Sequence, residues 1–264
     1  MPSYAVIGAS RGIGLEYIRQ LAKGQDSIVF AVVRDPASSY LQHVLAEHAN
    51  VHVIQADVTD PHSLQRAAEQ TSILSGSSLD LLIHNAARTD TRLNFRGFDD
   101  YKDLDELDSD FIDSFKVNTL GVVHSIAAFL PLLRRGTDKK IVVLNTEGAS
   151  VSLTLRSRVA DVAAYCTTKS AAAMVAAKYA AALGKEGFVV VSMAPGVVDT
   201  SSTSADETAA ESFKQVMVRM AEAGFHPELL TPAQSVEKQL TVINGLGQEM
   251  NGAFLSYTGH PIPY

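Results

Sequence analysis

Short apolar runs alternate with longer periodic segments along the whole chain, and no other feature constrains its fold as strongly. The runs have the length and continuity of buried strands, and the segments between them carry helical periodicity. This pattern predicts an α/β fold: a doubly wound parallel sheet of about seven strands with helices on both faces. The predicted strands are Tyr4–Ile7, Ser27–Val33, Val51–Gln55, Leu79–His84, Lys140–Leu144 and Phe188–Met193, with Ala253–Ser256 as the seventh candidate.

Helices are predicted between these strands, and three segments interrupt the alternation. The predicted helices are Ile13–Ala22, Leu41–His48, Ser63–Leu74, Phe111–Leu133, Val162–Leu183 and Pro232–Leu246. Ala87–Asp110 is predicted to be a solvated loop whose acidic end leads to a helix start. Ser150–Asp161 and Asp199–Ala209 are predicted to be either lid segments over a substrate or plain surface loops. No linker or internal repeat divides the chain, which predicts one domain over residues 1–264.

Composition and charge exclude several classes of protein. The 264 residues are 46% hydrophobic and 19% charged, which is typical of a globular protein with a sizeable core. No stretch approaches the roughly 18 apolar residues of a membrane helix, and a net charge of −7 argues against a nucleic-acid surface. Cys166 is the single cysteine, which fits a reducing compartment. We therefore expect a soluble, cytoplasmic protein without a membrane or nucleic-acid partner, and the histidine spacing predicts no metal site.

A glycine-rich turn joins the first strand to the first helix, with the sequence Gly8-Ala-Ser-Arg-Gly12-Ile-Gly14. Glycine lets the backbone turn sharply and approach a ligand closely, and the N–H groups at a helix start attract a pyrophosphate. The spacing is G-x-x-x-G-x-G and not G-x-G-x-x-G. A purely structural turn is the alternative, but the position at the head of an alternating chain favours a nucleotide site.

Residues after the second and third strands indicate which nucleotide it is. Arg34 follows the second strand, where an Arg suits a ribose 2′-phosphate and an acidic residue would bind the 2′-hydroxyl. Arg11 can reach the same phosphate, so both favour NADP(H) over NAD(H), although Asp35 could instead face the hydroxyl. Asp57 and Val58 follow the third strand and can bind the adenine, with a helix cap as the alternative for Asp57.

Tyr165 and Lys169 stand four residues apart on a predicted helix, so both side chains leave the same face. An ammonium beside a phenol favours the phenolate, which predicts a lowered Tyr165 pKa and a group that can transfer protons near neutral pH. Alone the pair is a weak signal, because Tyr and Lys often have this spacing on a solvated helix face.

The glycine turn, the residues after the third strand, Asn85 and the Tyr165/Lys169 pair occur in an order that resembles the short-chain dehydrogenase/reductase family over nearly the whole chain. The chain is most similar to the C-factor-like and fungal ketoreductase branch, which shares the Arg after the second strand and an ending like residues 251–263. The resemblance implies a single Rossmann domain with NADP(H) as cofactor and a substrate-binding segment around residues 197–226.

The resemblance also implies which residues bind the cofactor. Residues 84–87 match the family's N-N-A-G stretch, in which His84 and Ala87 replace Asn and Gly. Residues 195–200 match P-G-x-x-x-T, which would hold the nicotinamide carboxamide and the pyrophosphate. The implied cofactor-binding residues are Gly8, Ser10, Arg11, Gly12, Ile13, Gly14, Arg34, Asp57, Val58, Asn85, Ala86, Lys169, Pro195, Val198 and Thr200.

The catalytic residues that the resemblance implies are Tyr165, Lys169, Thr146 and Asn118. Tyr165 would protonate the alkoxide, Lys169 would bind the nicotinamide ribose and hold the Tyr165 pKa down, and Asn118 would hold a water for proton relay. The family ends its fifth strand with a catalytic Ser. Alignment of this strand puts Thr146 in that place, and a Thr keeps the hydroxyl donor. Ser150, one short loop further on, is the alternative.

The function implied by the resemblance is NADPH-dependent reduction of a small-molecule ketone. Apolar residues in 197–226 suggest a medium-to-large hydrophobic substrate, with Arg156 or Arg158 available to an anionic group, and the branch suggests secondary metabolism. Two other classes stay open: a non-redox dehydratase, isomerase or cyclase, and a non-catalytic cofactor-binding protein. Family members commonly pair through two long helices, here Phe111–Leu133 and Val162–Leu183, which implies a homodimer or homotetramer.

Overall fold

The computed structural model describes residues 1–89, 96–203, 209–222 and 224–264. The strands are β1 Ser3–Ile7, β2 Ile28–Val33, β3 Val51–Gln55, β4 Leu81–His84, β5 Lys140–Leu144, β6 Val189–Ala194, β7 Val197–Val198, β8 Leu229–Leu230 and β9 Phe254–Ser256. Within the described residues, seven of them form one parallel sheet in the order β3-β2-β1-β4-β5-β6-β9, and β7 pairs with β8. The predicted number of strands is therefore confirmed.

Helices cover both faces of this sheet. They are α1 Gly12–Leu21, α2 Ser39–Glu47, α3 Pro61–Ser75, α4 Leu104–Phe115, α5 Gly121–Leu133, α6 Val151–Ser157, α7 Ala163–Leu183, α8 Ala209–Glu222 and α9 Pro232–Asn244. Apolar residues such as Leu64 and Phe129 pack α3, α5 and α7 against one face, and residues such as Leu15 and Val236 pack α1, α2 and α9 against the other. The predicted doubly wound α/β fold is confirmed.

The order of the strands brings several strand ends to one place. The chain runs outwards from β1 to β3 and then crosses back to β4 on the other side of β1. Because parallel strands end at the same edge, the turn after β1 lies beside the residues after β4, where Asn85 N donates to Ile7 O at 3.0 Å. A crevice at such a point is where open α/β sheets bind ligands.

The acidic segment after β4 becomes helical earlier than predicted. Asp103 caps α4 by accepting a hydrogen bond from Glu106 N at 2.9 Å, and acidic residues fill the first turn. These carboxylates satisfy and complement the free N–H groups of the helix start, so the predicted loop ends before Leu104 and not at Asp110. A π-helical turn, Lys116–Leu120, then separates α4 from α5, where one continuous helix was predicted.

Ser150–Asp161, predicted to be a loop, contains helix α6. Ser150 caps α6 by accepting a hydrogen bond from Leu153 N at 3.3 Å, and Arg158 ends it in the left-handed conformation with φ of 54°. A helix of 7 residues is not stable alone and depends on tertiary contacts. This dependence is why periodicity did not reveal it.

The predicted substrate-binding segment around residues 197–226 begins with β7 and includes α8. A 3₁₀ turn, Ser201–Thr203, lies within the predicted loop Asp199–Ala209. Residues 204–208 and 223 of this segment lie outside the described residues.

The stretch Leu104–Leu133 is, among the described residues, long and apolar enough by length and composition to cross a membrane. Half of its most apolar window is buried inside the fold. Its second half, α5, buries Val122, Ile126 and Phe129 against the sheet. The stretch therefore fits a core helix.

Candidate active site

The glycine turn after β1 has no room for side chains at its glycines. Gly8 and Gly12 have φ values of 87° and 55°, which other residues rarely adopt. At Gly14 a Cβ atom would lie 2.1 Å from the Gly8 carbonyl oxygen and 2.6 Å from the Asn85 side-chain nitrogen. The turn leads directly into the first N–H groups of α1, the arrangement that holds a pyrophosphate in dinucleotide folds. The glycines therefore fit the predicted cofactor.

Asn85 and Ala86, which follow β4, pack against this turn. Asn85 Nδ2 donates to Gly8 O at 2.7 Å and so ties the end of β4 to the turn after β1. A Cβ atom at Gly8 would lie 2.7 Å from the Ala86 Cα atom. The two residues predicted from the motif after the fourth strand are thus brought against the glycine turn.

The two arginines predicted to hold a 2′-phosphate, Arg11 and Arg34, are both exposed. Ser38 Oγ donates to Ser10 O at 2.9 Å, which joins the loop after β2 to the glycine turn. Asp35, the rival that could face a 2′-hydroxyl, accepts a hydrogen bond at 2.9 Å from a backbone N–H of its own loop. This hydrogen bond uses one of the two Asp35 carboxylate oxygens within its own turn.

Asp57 and Val58 follow β3 at the same edge of the sheet. Asp57 Oδ1 accepts hydrogen bonds from Thr59 N and Oγ1 at 2.8 and 2.7 Å. The cap of α3 is Asp60, so the helix-cap alternative for Asp57 is wrong. Val58 is buried and packs so closely that a Cβ atom at Gly121 would lie 3.0 Å from its side chain.

Tyr165 and Lys169 are brought together on α7, as their spacing predicts. Lys169 Nζ lies 5.7 Å from the centre of the Tyr165 ring. Lys169 is only 1% exposed, and its Nζ donates to Leu144 O at the end of β5 at 2.7 Å. Asn145 Nδ2 donates in return to Lys169 O at 3.2 Å. These contacts hold the pair at the carboxyl edge of the sheet.

Burial governs the protonation of this pair. It lowers the pKa of Lys169 to about 8, because a buried ammonium loses its hydration. Burial also raises the pKa of Tyr165 above its usual value, and the Cys166 thiol adds to the increase. The expectation of a lowered Tyr165 pKa is therefore wrong for the protein alone, because burial raises it and the Lys169 ammonium donates to Leu144 O.

The structure separates the two candidate hydroxyls. Ser150 is fully buried and donates to Pro263 O while it caps α6, so its hydroxyl is used within the fold. Thr146 is half-buried at the end of β5 and accepts a hydrogen bond from Gly148 N at 3.3 Å, which leaves its own hydrogen to donate. A Cβ atom at Gly148 would lie 2.6 Å from Cys166 Sγ, so the turn after Thr146 packs against Cys166, the residue that follows Tyr165 on α7. This geometry favours Thr146.

Asn118 lies fully buried in the π-helical turn between α4 and α5. Its Oδ1 accepts a hydrogen bond from Arg88 N at 2.8 Å, and its Nδ2 donates to Thr168 Oγ1 at 3.0 Å. Thr168 precedes Lys169, so the amide connects the segment after β4 to the helix that carries the Tyr165/Lys169 pair. Such π-bulges are frequent at functional sites.

The segment after β6 also borders the site, because it packs beside the glycine turn. Ser235 Oγ donates to Pro195 O at 2.7 Å, and Val198 pairs with β8. Thr200 lies beside the glycine turn, with its methyl carbon 3.2 Å from a Cβ atom built at Gly12. Gly12 N donates to Thr203 Oγ1 at 2.9 Å, a contact that sequence reasoning missed because the two residues are 191 positions apart.

His84, which stands where the family motif has Asn, lies beside this site. It is fully buried at the end of β4, and neither ring nitrogen has a hydrogen-bond partner among the described residues. Burial and the Lys169 ammonium lower its pKa to about 3. His84 is therefore a neutral imidazole near physiological pH.

This buried imidazole predicts a loss of stability in acid. The pKa of His84 is about 3 in the folded state and about 6.5 in the unfolded state. At pH values between these two, the unfolded chain binds a proton at His84 and the folded chain does not. The free energy of unfolding is expected to fall by about 1.4 kcal/mol per pH unit below pH ~6.5 from this residue. In urea unfolding between pH 7 and 4.5, His84→Asn should weaken this dependence. The matched control is His62→Asn, at an exposed position of α3, which should not change it.

In the described part of the chain, no three side chains of His, Cys, Asp or Glu come together as metal ligands.

Comparisons with known proteins agree with this geometry. The family model described as short chain dehydrogenase matches residues 3–211. The chain is 36% identical over 264 residues to the short-chain dehydrogenase/reductase AacuF of Aspergillus aculeatus and 36% identical over 263 residues to atnB of Arthrinium sp. Each alignment covers 98% of this chain and 98% of the relative.

Two solved structures have the same fold over the whole chain. The NADPH-bound carbonyl reductase from chicken fatty liver matches with a TM-score of 0.80 and 25% identity, and the match covers 100% of this chain and 99% of that one. The carbonyl reductase Sniffer of D. melanogaster matches with a TM-score of 0.79 and 19% identity, covering 100% of both chains. From the family model and the fungal relatives together, the chain belongs to the short-chain dehydrogenase/reductase family.

Proposed function

We propose that this protein is an NADPH-dependent reductase of a ketone carbonyl. The observation that carries the proposal is the packing of α7, which bears Tyr165 and Lys169, against the end of β5 that leads to Thr146, at the edge of the sheet where a glycine turn fits a pyrophosphate. The similarity to an NADPH-bound carbonyl reductase over the whole chain supports the same reaction class.

When bound, NADPH would supply the hydride, and the protein would position and protonate the substrate. The Tyr165 hydroxyl would give its proton to the oxygen of the reduced carbonyl. Thr146, whose hydrogen is available to donate, would bind the same oxygen and stabilise its developing charge. Lys169, largely protonated at neutral pH with a pKa of about 8, would bind the ribose hydroxyls. Asn118 would hold a water through which protons return to Lys169.

The other residues of the site would hold the cofactor. The pyrophosphate would bind at Gly8, Gly12, Gly14 and Thr200. The adenine would bind at Asp57 and Val58. The carboxamide of the nicotinamide would meet the backbone of Val198.

The cofactor preference is tested at Arg34. Replacing Arg34 with Leu is expected to raise the KM for NADPH by about 10- to 100-fold, because a charge-assisted hydrogen bond to a phosphate is worth about 1.5–3 kcal/mol. The KM for NADH should change little, since NADH lacks that phosphate. Arg66→Leu, which removes an exposed Arg from α3, is the control and should leave both constants unchanged. An equal change for the two cofactors at Arg34 would contradict the assignment.

The substrate that we propose is a medium-to-large hydrophobic ketone. Helix α6, which follows Thr146 in the chain, exposes 63% of Val151 and 73% of Leu155 on one face. Apolar side chains this exposed are suited to contact an apolar ligand. Arg156 near the end of the same helix would be available to an anionic group on the substrate.

The experiment that tests the proposed function measures NADPH consumption by the purified protein with a panel of aliphatic and aromatic ketones, and identifies the products by mass spectrometry. An alcohol formed in step with NADPH loss supports the proposal. A product formed without NADPH loss would instead support a dehydratase, isomerase or cyclase. Binding of NADPH with no product across the panel would support a non-catalytic cofactor-binding protein.

We also propose that two copies pair through α4, α5 and α7, in the cytoplasm. Large apolar side chains remain exposed on α4, on the π-helical turn before α5 and on α7, and an interface between two copies would bury them. They are Ile112, Phe115, Leu120 and Met174. Sedimentation equilibrium measures the mass, and a monomer at micromolar concentration would contradict this pairing.

A further inference from the structure

A buried carboxylate on α4 contacts none of the residues assigned to substrate or cofactor. Asp110 is 3% exposed, and its Oδ1 accepts from the Arg88 guanidinium while its Oδ2 accepts from the Tyr101 hydroxyl at 2.7 Å. A buried charge loses its hydration, and proteins tolerate this loss when the charge is paired and hydrogen-bonded, as Asp110 is. Two paths of contacts start from these partners: the path through Arg88 reaches Asn118 of the proposed active site, and the path through Tyr101 reaches the first residue of α7, two positions before Tyr165.

The path of contacts through Arg88 reaches Asn118. Arg88 is held at its side chain by Asp110 and by Ser114 Oγ, which accepts from Nη1 at 3.2 Å. The backbone N–H of the same residue donates to Asn118 Oδ1 at 2.8 Å. Because the side chain is anchored, the N–H is fixed in position, and it in turn fixes the Asn118 amide that bonds to Thr168.

The path of contacts through Tyr101 and Arg96 reaches the start of α7. The Arg96 guanidinium lies over the Tyr101 ring at 5.5 Å and pairs with Glu106 of α4 at 2.7 Å, so its position depends on both residues. Arg96 O accepts a hydrogen bond from Ala163 N at 3.0 Å. Ala163 is the first residue of α7 and stands two positions before Tyr165.

The start of α7 needs such support because its backbone is strained. Val162, the residue before Ala163, has φ of 63° and ψ of 32°, a left-handed conformation that a β-branched side chain strongly disfavours. No side chain of the described residues caps the helix there. Strained residues of this kind persist only where the surrounding structure holds them, and they cluster at functional sites.

We propose that Asp110 is a positioning residue for the reaction proposed above, fixing Asn118 through Arg88 and Tyr165 through Tyr101 and Arg96. The inference rests on the proposed function. It extends the site to a carboxylate that touches neither substrate nor cofactor. It also explains why the segment after β4 and α4 are joined by buried charges where apolar packing would serve for stability alone.

The first test is Asp110→Asn, which keeps the shape of the side chain and removes its charge. We expect kcat for the ketone to fall by about 10- to 100-fold, because small displacements of catalytic groups have effects of this size. The KM for NADPH should stay unchanged, because no hydrogen bond or ion pair between described residues joins this network to the glycine turn. The control is Glu186→Gln, which breaks the exposed pair with Arg134 at 2.8 Å and should leave kcat unchanged.

A second variant separates positioning from stability. Removing one partner of a buried pair destabilises strongly, whereas removing both costs little. The double variant Arg88→Met/Asp110→Asn should therefore recover most of the thermal stability lost in the single variant while its kcat stays low. Recovery of kcat together with stability would show that Asp110 has only a structural role and would overturn the proposal.

Hydrogen exchange supplies a readout that does not need activity. The Ala163 amide should exchange faster in Asp110→Asn than in the unmodified protein, and in Glu186→Gln it should not. Unchanged exchange at Ala163 would overturn the part of the proposal in which Asp110 positions Tyr165 through Tyr101 and Arg96. If the unmodified protein reduces no ketone, the proposed function fails, while the exchange result still decides whether Asp110 holds the start of α7.

Discussion

Replacing Tyr165 with Phe is expected to lower kcat for ketone reduction by about 10²- to 10⁴-fold, the range that a positioned general acid contributes. The substitution removes only the phenolic oxygen and leaves the ring that packs beside Lys169. Without that proton donor the reduced oxygen must take its proton from water. The affinity for NADPH, measured by fluorescence titration, should stay nearly the same, because the glycine turn and Arg34 are untouched.

Tyr179→Phe is a matched control on the same helix. Tyr179 is a half-buried tyrosine whose hydroxyl donates to Val123 O at 3.4 Å, away from the proposed site. Its replacement should leave kcat unchanged, since it removes the same atom from the same helix. Survival of turnover in Tyr165→Phe would show that another group donates the proton, and the assignment would then be wrong.

Thr146→Val is expected to lower kcat by about 10²- to 10³-fold, as the loss of one donor to a developing oxyanion does. Valine keeps the shape of the side chain, so the turn after β5 should stay folded. Ser150→Ala should leave kcat nearly unchanged and lower thermal stability, because α6 loses its cap, worth about 0.5–2 kcal/mol, and Pro263 O loses its donor. Steady-state kinetics and thermal unfolding of both variants measure the two effects.

The opposite outcome has a clear meaning. A larger loss of kcat in Ser150→Ala than in Thr146→Val would show that the buried hydroxyl reaches the substrate when the site is occupied. The alignment of the fifth strand that places Thr146 at the catalytic position would then be wrong.

Much of the fold could be predicted because strands in a parallel sheet are buried on both faces and read as continuous apolar runs. The start of α4 could not, because an acidic run is compatible with both a solvated loop and a helix N-terminus, and Asp103 decides between them by capping. Helix α6 was missed because a helix of 7 residues owes its stability to tertiary contacts that periodicity does not record.

The site could be predicted where a motif is local and could not where it depends on distant contacts. The glycine turn and the Tyr165/Lys169 pair were visible from spacing alone. The pKa of Tyr165 was predicted in the wrong direction, because burial is not readable from two neighbouring residues. Thr203 at the glycine turn and the role of Asp110 were missed, because each depends on contacts that the fold creates between separate segments.

The packing around the glycine turn divides this site into a part that cannot vary and a part that can. A single added carbon at Gly14 would collide with Gly8 O, and one at Gly8 would collide with Ala86, so the base of the turn admits no substitution that preserves its shape. Arg11 and Arg34, by contrast, are exposed and constrained by little around them. The proposed role of Arg11 and Arg34 in cofactor preference can therefore be tested by replacing these two side chains, which should cost the fold little, while the glycines are left unchanged.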